Sequence, residues 1–187
     1  PASNQWLTRK FLLPAGTNKI RFRAISDYGN DLYLDSVRIG GGSLFTQYNV
    51  KLVPEGLYNG TSKIIKDTVR IYLRNSVFPY SLIDSSICIV DDVTLISPCV
   101  FQNAPTGAYY LQVKHRNSLE VWSKTGGVNI TNGVFGSYDF TSGISQTFGD
   151  NAVLVNTTYC LPSGDVNQDG IIDAGDLSSV ENDVAVS

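Results

Sequence analysis

Near the carboxyl end of this chain, oxygen-bearing side chains recur at a spacing that suits a hard cation. Counted from Asp165, donors fall at loop positions one, three, five, nine and twelve, namely Asp165, Asn167, Asp169, Asp173 and Asp176. Ile171 at position seven can add its backbone carbonyl, which completes the ligand plan of a calcium loop. Gly170 stands at position six, where the chain must turn sharply and a residue without Cβ takes positive φ at no steric cost. Four carboxylates around one point repel one another, so the loop carries about −4 when empty and about −2 around a divalent ion. All-oxygen donors suit calcium and not a soft metal.

The elements that must hold this loop differ on its two sides. Residues 157–163 contain Pro162, β-branched residues and no helical period, so no entering helix is expected. After the loop, Leu177, Val180 and Val184 fall at i, i+3 and i+7, which predicts a helix with an apolar stripe in need of a partner. The stripe packs either on the preceding domain or on a second repeat.

A loop followed by a helix, with Asp at position twelve and no leading helix, resembles one half of a dockerin, the calcium-dependent docking module of secreted bacterial multidomain proteins. Gly164, Asp165, Asn167, Asp169, Gly170, Asp173, Asp176, Leu177 and Val180 carry the resemblance. It implies calcium as cofactor and a cohesin-like protein domain as partner. In dockerins positions ten and eleven help choose that partner, which here places Ala174 and Gly175, with Ser178 beside them, on the docking surface. Dockerins carry two such repeats, and no second Asp-x-Asn-x-Asp-Gly occurs in this chain.

Upstream, the pattern is β. In 1–41, Ile20, Phe22 and Ala24 alternate with charged residues, a turn follows at Ser26–Asn30, and a further strand runs to Ile39. With Trp6 before it, the run Ser26–Val37 resembles the closing strands of a jelly-roll module of secreted adhesins. Gly40, Gly41, Gly42 and Ser43 read as a flexible joint. In 45–162, Val69, Ile71 and Leu73 and then Tyr109, Leu111 and Val113 alternate with polar residues, and apolar runs lie at 48–53, 82–90, 93–96, 119–122 and 152–155. Six to eight short strands predict an antiparallel β-sandwich of immunoglobulin or transthyretin-like type. The stretch Phe101–Val113 resembles the strand-turn-strand corner of transthyretin-like and carboxypeptidase-regulatory-like domains. The third piece, 163–187, is the calcium loop and helix.

Composition narrows the function classes. Hydrophobic residues at 42% and charged ones at 17% are those of a folded protein with a Ser-, Thr- and Asn-rich surface. Six of the 17 acids crowd into 163–187, which has no Lys or Arg, and no basic cluster indicates nucleic acid. No apolar run is long enough for a membrane helix. The absence of Met and of a leader leads us to expect a piece of a larger secreted precursor, because a weak calcium loop suits the outside of the cell. Three cysteines, Cys88, Cys99 and Cys160, give neither a zinc spacing nor a complete disulfide framework; a Cys88–Cys99 bridge across a hairpin competes with buried thiols, and buried thiols are the expectation.

Catalysis has little to rest on. His115 is the one histidine, there is no Gly-x-Ser-x-Gly elbow, and no two carboxylates stand out as a glycosidase pair. His115 reads as a corner residue hydrogen-bonded to its loop, and Asp91-Asp92 as a hairpin turn. Trp6, Trp122 and the ten tyrosines could form a sugar-stacking face, although in a small sandwich most rings close the core. The expectation is a non-catalytic docking and spacer region, with polysaccharide met through neighbouring modules. The alternative is a carbohydrate-binding accessory sandwich whose calcium loop is structural.

Overall fold

The structure is a computed structural model that describes residues 19–22, 45–62 and 65–185. The chain divides into two compact units, Pro1–Leu44 and Phe45–Ser187. Of the first, residues 19–22 belong to no strand, and Ile20 and Phe22 are exposed there. Their alternation therefore does not form the half-buried strand it predicts over those four residues; a side-chain period becomes a strand only when a ladder partner takes up its backbone groups. Trp6, the jelly-roll resemblance and the glycine joint lie outside the described residues.

The second unit is mostly β. Its strands are β1 (Thr46–Lys51), β2 (Asp67–Asn75), β3 (Leu82–Val90), β4 (Ile96–Phe101), β5 (Gly107–His115), β6 (Ser118–Trp122), β7 (Val128–Ile130), β8 (Gly136–Asp139), β9 (Val153–Val155) and β10 (Thr158–Cys160), followed by the helix α1 (Ala174–Ala185). One sheet has the order β3-β2-β5-β6, with β7 also pairing β5; a second has the order β4-β1-β8; β9 and β10 form a small ribbon. Pairing is antiparallel except between β1 and β8, which run parallel in register Val50 to Tyr138.

Period-two burial explains the assembly. Val69, Ile71 and Leu73 of β2 and Leu111 and Val113 of β5 are buried, and they join Val50 of β1, Phe101 of β4 and Tyr138 of β8 in one apolar cluster. Both sheets thus contribute one face to a shared core, while Arg70, Tyr72, Gln112 and Lys114 point to the opposite face of the first sheet because successive residues of a strand alternate sides.

The connection between β3 and β4 departs from expectation in two ways. The apolar run at residues 93–96 is not a strand, because Asp91 Oδ1 accepts from the Val93 N–H (3.1 Å), the Thr94 N–H (2.8 Å) and the Thr94 hydroxyl (2.9 Å) and folds a turn. Leu95 follows in the left-handed region (φ 62°) and β4 starts only at Ile96. That turn is not a hairpin loop either: β3 edges one sheet and β4 edges the other, so the chain crosses between them. Cys88 of β3 and Cys99 of β4 are joined by a disulfide across this crossing, with Cα atoms 5.6 Å apart. The expectation of two buried thiols is corrected, since the sheet edges bring the pair within bridging distance. Cys160 is a free, buried thiol. No helix among the described residues is long and apolar enough to cross a membrane.

Candidate metal centre

The acidic loop leaves the β body through a chain of backbone hydrogen bonds. The Leu161 N–H donates to Val53 O (2.9 Å), the Glu55 N–H to Leu161 O (2.9 Å), the Leu119 N–H to Pro162 O (2.9 Å) and the Gly164 N–H to Asn117 O (3.0 Å). Residues 157–163 are accordingly a strand end and not a helix, as their composition indicates. The Gln168 amide then reaches back to Asp165 O and to Ser118 O, so the first half of the loop rests on the turn between β5 and β6. Gln168 and Gly170 both take positive φ (62° and 87°), and these two left-handed residues give the loop its bend.

The second half is built by capping. Asp173 stands just before α1 and its Oδ1 accepts from the Gly175 N–H (2.7 Å), while Asp176, three residues on, accepts from the Asp173 N–H at Oδ2 (2.9 Å). Asp173 thus caps the first turn through Gly175, and Asp176 returns a bond to the Asp173 N–H. Asp176 also takes the Val166 and Asn167 N–H groups on Oδ1 (2.7 and 3.1 Å), which ties the helix start to the loop start. The N–H groups of Asp173, then Asn167 and Val166, hold its carboxyl below the usual range despite burial.

The sequence-predicted ligands therefore fall into three groups. Asn167 and Asp169 are linked side chain to side chain (3.0 Å), and the Ile171 N–H closes on Asp169 Oδ1 (2.9 Å). Asp173 and Asp176 are joined through the cap. Asp165 stands apart: it is 2% exposed, and its Oδ1 is buried with no hydrogen-bond partner. It lines a cleft of about 370 Å³ between loop and strands, together with Lys114, Glu120, Asn151, Gln168 and Asp169. Lys114 in that cleft is already paired with Glu120 (2.9 Å).

Compared with protein-family models, with curated proteins and with solved structures, the chain gives no match.

The donor chemistry fits a hard cation: the loop offers carboxylates, an amide oxygen and a buried carboxylate oxygen that lacks a donor, and it offers no nitrogen or sulfur ligand. Its present spacing is looser than a finished shell, for among the described residues no three Asp, Glu, His or Cys side chains stand together as a metal-binding group. Hydrogen bonding from backbone N–H groups leaves each carboxylate further lone pairs, so the capping contacts and ligation are compatible.

Ala174, Gly175 and Ser178 lie exposed at the start of α1, where the Ser178 hydroxyl donates to Ala174 O (3.0 Å). Gly175 has a second reason to be small: a Cβ there would come within 3.0 Å of Asp173 Oδ1 and 3.3 Å of Asn167 Nδ2. The apolar stripe stays open, with Leu177 60% and Val180 45% exposed, so over these residues α1 does not pack on the sheets. The Val184 side chain lies outside the described residues.

His115 is buried and bonded within its own corner. Its Nδ1 faces the Ser118 hydroxyl (3.2 Å) and accepts from the Asn117 N–H (3.3 Å), while Nε2 faces Asp67 Oδ2 (3.2 Å). Burial pushes the Asp67 carboxyl up, and Arg116, the Thr68 N–H and His115 outweigh it and hold it low. Asp, His and Ser thus form a row, but Ser118 is fully buried and has no face open to a substrate. The row fixes the turn on which the acidic loop rests. The anchors Asn117, Ser118 and Gln168 carry no local sequence signal, because each acts on a partner far away in the chain.

Proposed function

We propose that residues 163–185 are a calcium-ordered clip on a β-sandwich of transthyretin-like type, and that the region serves as a non-catalytic docking and spacer part of a secreted multidomain protein. One observation carries the cation: Asp165 Oδ1 is buried at the head of the loop with no donor facing it. An ionised carboxylate left that way is strongly unfavourable unless a positive charge comes to it. Asp165, Asn167, Asp169, Asp173 and Asp176, with the Ile171 carbonyl, are the residues that would hold the ion.

Calcium, when bound, supplies positive charge and a demand for six to eight oxygens. The chain does the rest. Asp173 and Asp176 cap α1, Asp176 fastens the helix to Val166 and Asn167, and Gln168 fastens the loop to the β5–β6 turn. Tightening the loop therefore stiffens the helix whose Ala174, Gly175, Ser178, Leu177 and Val180 face outward. That open apolar helix side supports docking onto a cohesin-like domain, through close contacts at small residues.

Titration calorimetry of the chain with calcium tests the reading. Uptake of about one ion per chain, lost in Asp165→Ala and weakened in Asp169→Ala, is the expected result. A flat titration at millimolar calcium would remove the ion, and with it the clip.

A further inference from the structure

A second surface lies on the outer face of the β3-β2-β5-β6 sheet, and its Lys114 and Glu120 also line the cleft beside Asp165. Five aromatic rings from four chain segments meet there edge to face: Phe78 with Tyr80 (6.0 Å between centroids), Tyr80 with Trp122 (6.0 Å) and with Tyr110 (6.0 Å), Tyr110 with Trp122 (5.6 Å) and with Phe148 (5.8 Å). None of them belongs to the apolar core, whose β5 and β6 members are Tyr109, Leu111, Val113 and Val121 on the opposite face. Phe78 is 81% exposed and Phe148 51%. Tyr110 is buried and Trp122 half-buried, so the open part of the cluster is Phe78, Tyr80 and Phe148.

The backbone beneath Tyr80 sharpens the point. Tyr80 sits in the left-handed region (φ 57°), which is strained for a bulky residue and recurs where a ligand is gripped. The conformation is held by the Tyr80 N–H on Val77 O (2.9 Å) and the Asn75 N–H on Ser81 O (2.9 Å), and it turns the ring onto Tyr110 and Trp122.

Polar groups are set beside the rings. The Trp122 indole donates to Glu120 Oε1, Lys114 holds Glu120 Oε2 (2.9 Å), and Arg74 Nε donates to Gln112 Oε1 (2.7 Å). Gln112 is buried, which fixes the guanidinium in place. Burial pushes the Glu120 carboxyl up, and the Trp122, Lys114 and Gln112 hydrogen bonds more than offset it, so the group is an acceptor. A carboxylate has four lone-pair sites and a guanidinium five N–H donors, so both keep capacity for further hydroxyls.

We propose that this ledge binds a neutral polysaccharide, with pyranose rings stacked on Phe78, Tyr80 and Trp122 and their hydroxyls bonded to Arg74 and Glu120. A pyranose offers an apolar C–H face and a polar rim, and the ledge offers rings beside ordered polar groups. Tyr110 is buried beneath the cluster and supports the more open rings of Phe78, Tyr80 and Phe148. Interface cores between proteins are depleted in Lys and Glu, whereas Lys114 and Glu120 stand beside these rings. The stacking rings do not line the cleft of Asp165, although Lys114 and Glu120 do, so the chelator arm below separates this inference from the calcium reading.

Native affinity electrophoresis of the chain through gels containing xyloglucan, galactomannan, mixed-linkage β-glucan or arabinoxylan tests it. Retardation by at least one of the four is expected, unchanged by a chelator, with apparent affinity at least tenfold lower in Trp122→Ala and in Phe78→Ala. Phe78 is so exposed that its replacement leaves the thermal midpoint unchanged, and Phe135→Ala, an exposed ring before β8, should migrate as the parent does. Unretarded migration in all four gels overturns the proposal, as does retardation indifferent to both ledge substitutions. Self-association abolished by Phe78→Ala, without retardation, would assign the ledge to a protein partner instead.

Discussion

At the scale of single residues, aspartate does three different jobs here. Asp91 ties a turn between the sheets with its Oδ1, Asp176 ties a helix to a loop, and Asp165 is buried with an oxygen that nothing in the chain satisfies. The backbone N–H and hydroxyl of Thr94 and the Val93 N–H draw the Asp91 carboxyl down to about 2. A carboxyl depressed from about 3.9 in the unfolded chain contributes stability that is complete above that value and lost as pH falls through the folded one. We therefore expect acid unfolding between about pH 4 and about 2 to begin at higher pH in the parent than in an Asp91→Asn variant corrected for its own neutral stability, followed by circular dichroism. Asp176→Ala removes the acceptor of three N–H groups, and hydrogen exchange should report amides in the first turn of α1 opening about tenfold more readily, with the sheets unaffected.

At the scale of elements, β3 and β4 matter because they edge different sheets and are clasped by Cys88–Cys99. A bridge spanning 11 residues closes a short loop in the unfolded chain, and by the chain-entropy argument it is worth about 3 kcal/mol. Urea unfolding of Cys88→Ser/Cys99→Ser should lose about that amount, with Cys160 unchanged because it sits buried elsewhere. Ile71 and Leu111 face the shared core fully buried, and Leu111→Ala should cost about 2–5 kcal/mol by the same measurement. The β5–β6 turn belongs to this scale too: Asp67, His115 and Ser118 brace it, and the acidic loop hangs from Asn117 O.

Across the whole second unit, loop and sheets form one mechanical piece, since the hydrogen bonds of Leu161, Gly164 and Gln168 fasten the acidic segment to strands far earlier in the chain. An ion bound at the loop should for that reason stabilise more than the loop. At calcium concentrations one hundred times the dissociation constant, mass action adds about 2.7 kcal/mol to folding. The thermal midpoint should rise accordingly in the parent and stay flat in Asp165→Ala. A rise in helix signal alone, with the β transition unmoved, would uncouple the clip from its support.

Sequence alone determined what is written in local periods. The alternation Val69, Ile71, Leu73 marked β2, Leu82–Val90 marked β3, and the oxygen spacing from Asp165 to Asp176 marked a loop ending in a helix, because a side chain's face follows from its position in a strand or turn. Tertiary structure decided everything that depends on which segments meet. It joined Cys88 to Cys99, turned the apolar run at residues 93–96 into a crossing, buried Asp165 while leaving its oxygen alone, and put Trp122 beside Tyr80 on the outer face. Burial and long-range pairing are properties of the assembled sheets, and no period along one strand encodes its neighbour.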